Sequence, residues 1–225
     1  RWAIGGAASA RDALISVTGQ RGINASTLAG WLVSLGKKQD ARELLVLLDS
    51  QETLPMLWLA SLSNNSPSYL QSAQRCFANR VRFPNTLDEV VMLQSLQQDA
   101  FACYLLGCFW YSKRRYDEAI ACWQQTLVLQ PDFAPVHRLL GIYAWNKQHN
   151  AQLASQYLQQ AVALEPDNAR FLFELDYLQK QQGLSIETRL ALLTSRRCVA
   201  LKRDDLTAEL LSLWNGVGEY DLAAQ

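Results

Sequence analysis

The feature that most constrains this sequence is an order of large and small residues within Ala100–Phe133 that returns further along the chain. In this stretch a Leu-Gly pair at residues 106–107 is followed by Ala119, Trp123 and Pro131. The corresponding residues of the next copy are Leu140, Gly141, Ala154, Leu158 and Pro166. Such a repeated pattern is typical of a chain built from stacked supersecondary units, each of which buries its apolar face against the next.

The small residues of the pattern have a steric role. We expect Gly107 to lie where the first helix of the unit comes closest to the second, at a position where no Cβ fits. Ala119 is the matching small residue on the second helix, and Trp110 and Trp123 fill the space around the contact. Pro131 ends the second helix because it cannot donate the helical hydrogen bond.

This arrangement resembles the tetratricopeptide (TPR) repeat, a helix-turn-helix unit of about 34 residues. The resemblance implies an all-α fold, a TPR-like right-handed superhelix of antiparallel helix pairs. It predicts TPR repeats over residues 99–225, as copies at 100–133, 134–168 and 169–203 and a partial copy at 204–225.

Two departures from the repeat pattern are visible. The Leu-Gly pairs of the first two copies are one residue closer together than their prolines, which predicts a one-residue insertion in the turn KQHNAQ. In the third copy Asp176 replaces the glycine. A buried acid needs a partner or a raised pKa, so Asp176 is either half of a structural ion pair or a functional acid. The predicted partners of the ion pair are Arg196, Arg197 and Arg203.

Residues 1–98 are predicted to be helical but irregular, with one degenerate repeat at about residues 22–53. In that repeat Leu28, Leu32 and Leu35 form a helical stripe, and Ala29 takes the place of the motif glycine. A short helix is also predicted at Ala7–Val17.

Two helix starts are predicted after the degenerate repeat. Ser66-Pro67 supplies a helix N-cap followed by proline at the first helical position. Thr86-x-x-Glu89 is a capping box, in which each side chain is expected to bond the other residue's backbone N–H.

Charge and hydropathy narrow the classes of function. The chain has 21 Lys plus Arg and 21 Asp plus Glu, a formal net charge of zero, whereas nucleic-acid binders usually show a basic excess. No apolar run approaches the roughly 20 residues that a membrane span needs. We therefore predict neither a nucleic-acid nor a membrane partner.

The five cysteines are odd in number and irregularly spaced. This excludes a framework in which all are disulfide-bonded and favours a reducing, cytoplasmic compartment. Cys103 and Cys108 project from different sides of a helix, and only two histidines are present, so no metal site is predicted. We interpret the cysteines as small buried apolar residues.

Several longer phrases resemble one group of proteins more closely. They are RVRFPNTLDEVVMLQSL, CYLLGCFWYSKRRYDEAIACW, VALEPDNARFLFELDYL and RDDLTAELLSLWNGVGEYDLA. They look like the repeat array of large bacterial proteins that carry an N-terminal β-rich domain of unknown function. The resemblance implies that this chain is an internal piece of such an array, and loosely associates it with carbohydrate metabolism.

The resemblance also locates a binding surface, because in TPR proteins the first helix of each repeat lines a concave groove. The positions that correspond hold Phe101, Tyr104, Tyr111, Arg138, Trp145, Arg170, Phe173, Tyr177 and Lys180. Aromatic residues with arginine are typical of interaction hot spots. The alternative is that neighbouring repeats or the β-rich domain already bury these aromatics. A clamp for chaperone C-termini is excluded, since Tyr104 and Cys108 stand where it needs Lys and Asn.

No nucleophile–base motif, phosphate loop, cofactor site or metal-ligand cluster is recognisable in the sequence. We therefore predict a non-catalytic TPR scaffold that mediates protein–protein or intramolecular domain interaction. One alternative is an accessory domain of a carbohydrate-active enzyme, with groove aromatics holding a saccharide. Another is a homodimer formed through the partial repeat at 204–225.

Overall fold

The computed structural model of this chain describes residues 12, 15, 16, 22–49, 51–64 and 66–223. Every regular element in these ranges is a helix, and consecutive helices pack as pairs joined by short turns. The predicted all-α class built from helix pairs is confirmed. The predicted helix at Ala7–Val17 falls almost wholly outside the described residues. None of the helices described is long and apolar enough to cross a membrane.

The chain divides into two compact units, residues 1–130 and 131–225. The predicted boundary at residues 98/99 is a different kind of boundary, because it separates irregular from regular repeats. The division at residue 130 therefore does not test that prediction. That boundary and the copies at 134–168, 169–203 and 204–225 stay predictions.

The helices of unit 1 run in the order α1 Gly22–Ser34, α2 Lys38–Leu48, α3 Thr53–Leu62, α4 Pro67–Asn79, α5 Leu87–Gln94, α6 Ala100–Ser112 and α7 Tyr116–Leu129. The degenerate pair is α1 and α2, and Ala29 is fully buried in it. Leu35 was expected on its apolar stripe, but α1 ends one residue earlier and Leu35 is exposed. The reason is Gly36, whose φ of 78° turns the chain out of the helix.

The predicted capping box is present at the start of α5. Thr86 Oγ1 accepts from the Glu89 N–H at 3.3 Å, and Glu89 Oε2 accepts from the Thr86 N–H at 3.0 Å. The other oxygen of this buried carboxylate accepts from Ser26 Oγ at 2.9 Å, and Ser26 Oγ accepts from the Trp58 indole N–H at 3.1 Å. The cap therefore also ties α5 to α1 and α3.

The pair α6 and α7 has the predicted close contact. A Cβ added to Gly107 would lie 2.4 Å from Trp123 Cδ1 and 3.1 Å from the Ala119 carbonyl oxygen. Trp123 and Ala119 are buried, while Trp110 is half-buried beneath the Arg115 guanidinium, 4.7 Å from its ring centroid. Glycine is required here because the second helix occupies the space of a side chain.

The helices of unit 2 run in the order α8 Ala134–Asn146, α9 Ala151–Leu164, α10 Ala169–Gln181, α11 Ile186–Ser195, α12 Arg197–Ala200, α13 Asp204–Gly216 and α14 Tyr220–Ala223. The turn from α8 to α9 is one residue longer than that from α6 to α7, so the predicted insertion is confirmed. A Cβ on Gly141 would lie 2.9 Å from Leu158 Cγ, which repeats the contact of Gly107.

The cysteines differ in exposure, and all five are free thiols. Cys103 is buried, and its Sγ lies 3.3 Å from the Gln97 carbonyl oxygen. Cys198 is exposed. The expectation of buried apolar cysteines is therefore right for Cys103 and wrong for Cys198, which lies just after the break between α11 and α12.

Candidate functional site

Helices α10 and α11 form the third copy of the repeat pattern. In this pair a buried ion pair takes the place of the Gly–Ala contact. Asp176 is the eighth residue of α10, as Gly107 is of α6, and Arg189 is the fourth residue of α11, as Ala119 is of α7. Arg189 Nε and Nη2 donate to the two oxygens of Asp176 at 3.1 and 2.8 Å. Both residues are almost completely buried, Asp176 at 2% and Arg189 at 5% exposure.

The ion pair continues outward to the surface of unit 2. Arg189 Nη2 also donates to Glu209 Oε1 on α13 at 2.6 Å. Lys180 Nζ lies 2.9 Å from each oxygen of the same Glu209 carboxylate. A chain of alternating charges thus connects the interior of α10 and α11 with the Lys180 ammonium, whose side chain is half exposed.

The two carboxylates of this network respond to it differently. Burial raises the pKa of Asp176 above its ordinary value and outweighs the hydrogen bonds from Arg189. Burial also acts to raise the pKa of Glu209, but hydrogen bonds from Arg189 and Lys180 outweigh it and hold the pKa below its ordinary value. The network therefore keeps Glu209 ionised.

The prediction that Asp176 forms an ion pair is confirmed, but its predicted partners are wrong. Arg203 pairs instead with Asp205, at 2.8 and 2.6 Å, and Arg196 and Arg197 line a pocket at the α11–α12 junction. The sequence does contain the missing signal. Where Asp176 departs from the glycine of the pattern, Arg189 departs from the matching alanine, and the two charges are complementary.

The predicted groove residues of unit 1 lie mostly in the core. Phe101 and Tyr104 are 3% and 7% exposed. Both rings pack edge-on against Phe77 of α4, at centroid distances of 5.3 and 6.1 Å. Tyr111 is half-buried and contacts Trp123 at 5.3 Å. A ligand on the surface of unit 1 would reach little of these rings.

The predicted groove residues of unit 2 are more accessible. We use the name α10 surface for one side of that helix, which is formed by Arg170, Phe173, Tyr177 and Lys180. Spacings of three and four residues place these side chains on neighbouring turns of one helix face. Phe173 and Tyr177 stack with ring centroids 6.3 Å apart, and the Arg203 guanidinium lies 4.9 Å from the Phe173 centroid.

Carboxylates beneath the α10 surface hold its cations in place. Glu174 accepts two hydrogen bonds from Arg138 of α8, at 2.6 and 2.5 Å, and one from Arg170 at 3.1 Å. The Glu174 side chain is only 17% exposed, whereas that of Arg170 is 62% exposed. The same arrangement of outer cation and inner acid holds for Lys180 and Glu209, whose side chains are 50% and 21% exposed. The acids therefore lie inside and the cations outside.

The aromatic residues of this region differ in accessibility. Tyr177 is 49% exposed and lies between Arg170 and Lys180 along the helix. Trp145 of α8 is half-buried and packs against the apolar core that α8, α9 and α10 share. In unit 2, the structure thus brings together the predicted residues of the α10 surface and Arg138. Tyr177 is the most exposed aromatic ring among them.

Among the described residues, no group of three or more His, Cys, Asp or Glu side chains is arranged to hold a metal ion.

Comparison with solved structures finds helical-repeat proteins at low identity. The pilF protein of Pseudomonas aeruginosa is 17% identical, with 97% of this chain and 89% of that one covered and a TM-score of 0.49. MamA from Desulfovibrio magneticus is 17% identical over 80% and 95%, with a TM-score of 0.46. YrrB, described as a TPR protein with an unusual peptide-binding site, is 12% identical over 88% and 95%, with a TM-score of 0.45. These values are too low to carry an argument about function.

Comparison with family models gives a local match. The tetratricopeptide repeat model matches residues 100–133, the same segment that the residue pattern singles out. In the structure this segment begins with α6, contains α7 and has Gly107 against Trp123. Residues 100–133 are therefore a tetratricopeptide repeat, in a chain whose described elements are all helices.

Proposed function

We propose that this chain is a non-catalytic interaction scaffold and that the α10 surface of unit 2 contacts its partner. The partner is a protein or peptide, or another domain of the same polypeptide, such as the β-rich domain that the sequence resemblance implies. The observation that carries the proposal is Tyr177, an exposed aromatic ring flanked on its own helix by two cations that partly buried carboxylates hold in position.

The physical argument rests on pre-organisation. Tyr and Arg are over-represented among residues that dominate binding energy. Binding normally costs about 0.5–1.5 kcal/mol for each long side chain that it immobilises. Arg170 and Lys180 already bond to Glu174 and Glu209, so part of that ordering has taken place before a partner arrives. A rigid helix then presents ring and cations together.

The cellular setting belongs to the same proposal. Five free thiols suit a reducing, cytoplasmic compartment. The balanced formal charge of zero does not favour nucleic acid as the partner. In the homodimeric alternative, the partner is a second copy of this chain, bound through the partial repeat at 204–225.

The test is a peptide-display selection on the immobilised chain, followed by calorimetric titration of the enriched peptides. Tyr177→Ala should weaken binding about tenfold or more, as expected for a hot-spot ring. The matched control is Tyr220→Ala, because Tyr220 is also an exposed tyrosine of unit 2, at 68% exposure. Failure to enrich any peptide, or equal affinity for the wild type and Tyr177→Ala, would contradict the proposal.

A second candidate function is saccharide binding, favoured by the stacked pair Phe173 and Tyr177. Aromatic faces of this kind could stack on sugar rings, as expected of an accessory domain of a carbohydrate-active enzyme. Titration with neutral oligosaccharides, followed by tryptophan fluorescence and calorimetry, separates the candidates. Saturable oligosaccharide binding that Tyr177→Ala abolishes would favour the saccharide function. Peptide binding without any fluorescence change or heat on addition of oligosaccharide would exclude that function.

A further inference from the structure

A pocket of about 330 Å³ lies in unit 2 between the turn that precedes α10 and the junction of α11 with α12. Residues 166–167 line one part and residues 194–199 the other. Its volume is at the lower end of the range of small-ligand sites, roughly 300–1,000 Å³. None of these residues is among the predicted groove residues of the repeats.

The arginines of the pocket differ from every other arginine of unit 2. Arg138, Arg170, Arg189 and Arg203 each form an ion pair with a carboxylate. Arg196 and Arg197 are half-buried, yet neither forms an ion pair with any carboxylate in the described part of the chain. Arg197 lies over the ring of Trp214 at 5.2 Å, which fixes its guanidinium without neutralising it.

Two arginines that line one pocket without forming an ion pair to any described residue favour an anion as its ligand. Arginine presents a planar fork of N–H donors that matches the oxygens of carboxylate and phosphate groups. Thr194 and Ser195 add hydroxyl groups to the same lining. A phosphate monoester has three acceptor oxygens and a charge of about −1.5 to −2 at pH 7, so it satisfies two arginines better than a single carboxylate does.

Asp167, which also lines the pocket, argues for an ester rather than inorganic phosphate. Its carboxylate repels a bare anion but accepts a hydrogen bond from a hydroxyl, ammonium or peptide N–H group. We propose that this pocket is a binding site for a phosphate monoester that carries such a donor, with Arg196 and Arg197 on the phosphate and Asp167 on the donor. The source is either a free small molecule or a phosphorylated serine side chain.

The experiment uses O-phosphoethanolamine, a phosphate monoester with an ammonium group, titrated into the chain and followed by ³¹P NMR. Inorganic phosphate and an acetyl-capped phosphoserine peptide form the other arms. Cys198, an exposed thiol of the pocket lining, gives a second readout, since a bound ligand should slow its alkylation. We expect saturable binding of the ester and weaker binding of inorganic phosphate.

Variants assign the roles of the residues. Arg196→Gln should weaken ester binding about tenfold or more, as the loss of a charge-assisted contact predicts. Lys202→Gln is the control, because it removes an exposed cation of the same unit outside this pocket. Asp167→Asn should tighten binding of inorganic phosphate, because it removes the carboxylate that repels the anion. This test still applies if the arginine variant fails to fold.

Three results would overturn the inference. They are the absence of binding by both O-phosphoethanolamine and the phosphoserine peptide at about 10 mM, an affinity that Arg196→Gln leaves unchanged, and an equal loss with Lys202→Gln, which would indicate non-specific attraction to positive charge. Binding of the phosphoserine peptide but not of O-phosphoethanolamine would assign the site to a phosphorylated chain. The reverse result would assign it to a small molecule.

Discussion

Arg189 donates two hydrogen bonds to the carboxylate of Asp176, at 3.1 and 2.8 Å, at a helix contact that two other pairs fill with glycine and alanine. A buried charge without its partner is strongly unfavourable. Each residue of this pair therefore depends on the other, in a way that Gly107 and Ala119 do not. The network with Glu209 and Lys180 follows from this one exchange of two small residues for two charged ones.

Replacing Arg189 by Gln should destabilise the folded chain. The substitution removes the donor shared by Asp176 and Glu209 and leaves the Asp176 carboxyl buried without a counter-charge. Breaking a buried ion pair typically costs about 3–5 kcal/mol, and protonation of Asp176, whose pKa burial already raises, should bring the loss to about 2–4 kcal/mol. Urea denaturation followed by circular dichroism measures the difference in the free energy of unfolding.

Arg203→Gln is the matched control for that measurement. Arg203 also forms an ion pair with an aspartate, but its side chain and that of Asp205 are 36% and 42% exposed. Exposed pairs of this kind contribute little, so the control should lose much less stability. A loss for Arg189→Gln no larger than that of the control would contradict the role given to the buried pair.

The lowered pKa of Glu209 predicts how stability depends on pH. A carboxyl group whose pKa is lower in the folded state contributes stability that is complete above its ordinary pKa of about 4.5 and disappears as the pH falls through the lowered value. Glu209→Gln lacks this contribution. The difference in unfolding free energy between wild type and variant should therefore be largest near pH 7 and shrink steadily below about pH 4.5.

Asp176 cannot produce the same acid-induced loss. Its pKa is raised in the folded state, so its titration favours the folded chain at low pH and this contribution is lost as the pH rises through the raised value. Denaturation curves from about pH 3 to pH 7 distinguish the two residues. Parallel pH profiles for the wild type and Glu209→Gln would show that Glu209 is not held ionised by Arg189 and Lys180.

The predictions that the structure confirms follow from steric rules that apply between residues near in sequence. The contact of Gly107 with Trp123, the insertion between α8 and α9 and the cap formed by Thr86 and Glu89 each depend on residues a fixed number of positions apart. Helical geometry converts those spacings into distances, so no tertiary information is needed.

Tertiary contacts account for what the sequence could not predict. Phe101 and Tyr104 occupy groove positions of the repeat, but Phe77 of the irregular region buries both rings. No periodic pattern links Phe77 to α6. For Asp176, the sequence predicts partners among Arg196, Arg197 and Arg203. The first two line the pocket at the α11–α12 junction, and Arg203 pairs with Asp205. Comparing helix positions between repeats would have identified Arg189.

Gly107→Ala tests the close helix contact of the tetratricopeptide repeat. The new Cβ would lie 2.4 Å from two atoms of the Trp123 ring, and a buried indole cannot move aside without disturbing the core. Overpacking costs about 1–3 kcal/mol and outweighs the gain of up to about 1 kcal/mol in helix propensity. Thermal and urea denaturation should both show the loss, and Trp123→Leu should recover part of it in the double variant.

Two other glycines serve as comparisons for Gly107. At Gly141 the nearest atom is Leu158 Cγ at 2.9 Å, which belongs to a side chain that can change its rotamer, so the loss should be smaller. At Gly216 the nearest atom is Ile186 Cδ1 at 3.4 Å, an ordinary contact, so alanine should be neutral or slightly stabilising. Equal effects at all three sites would show that propensity, rather than the approach of the two helices, sets the outcome.

The cysteines should react with alkylating reagents in an order set by burial. Burial raises the pKa of the Cys103 thiol to about 11, so at pH 8 only about one molecule in a thousand carries the reactive thiolate there. Cys198 is exposed and should be modified first with iodoacetamide, at least about a hundredfold faster than Cys103. Timed quenching with peptide mass spectrometry measures each rate, and in urea the two rates should converge. Early modification of Cys103 in the native chain would contradict the tight packing of α6 on which the repeat depends.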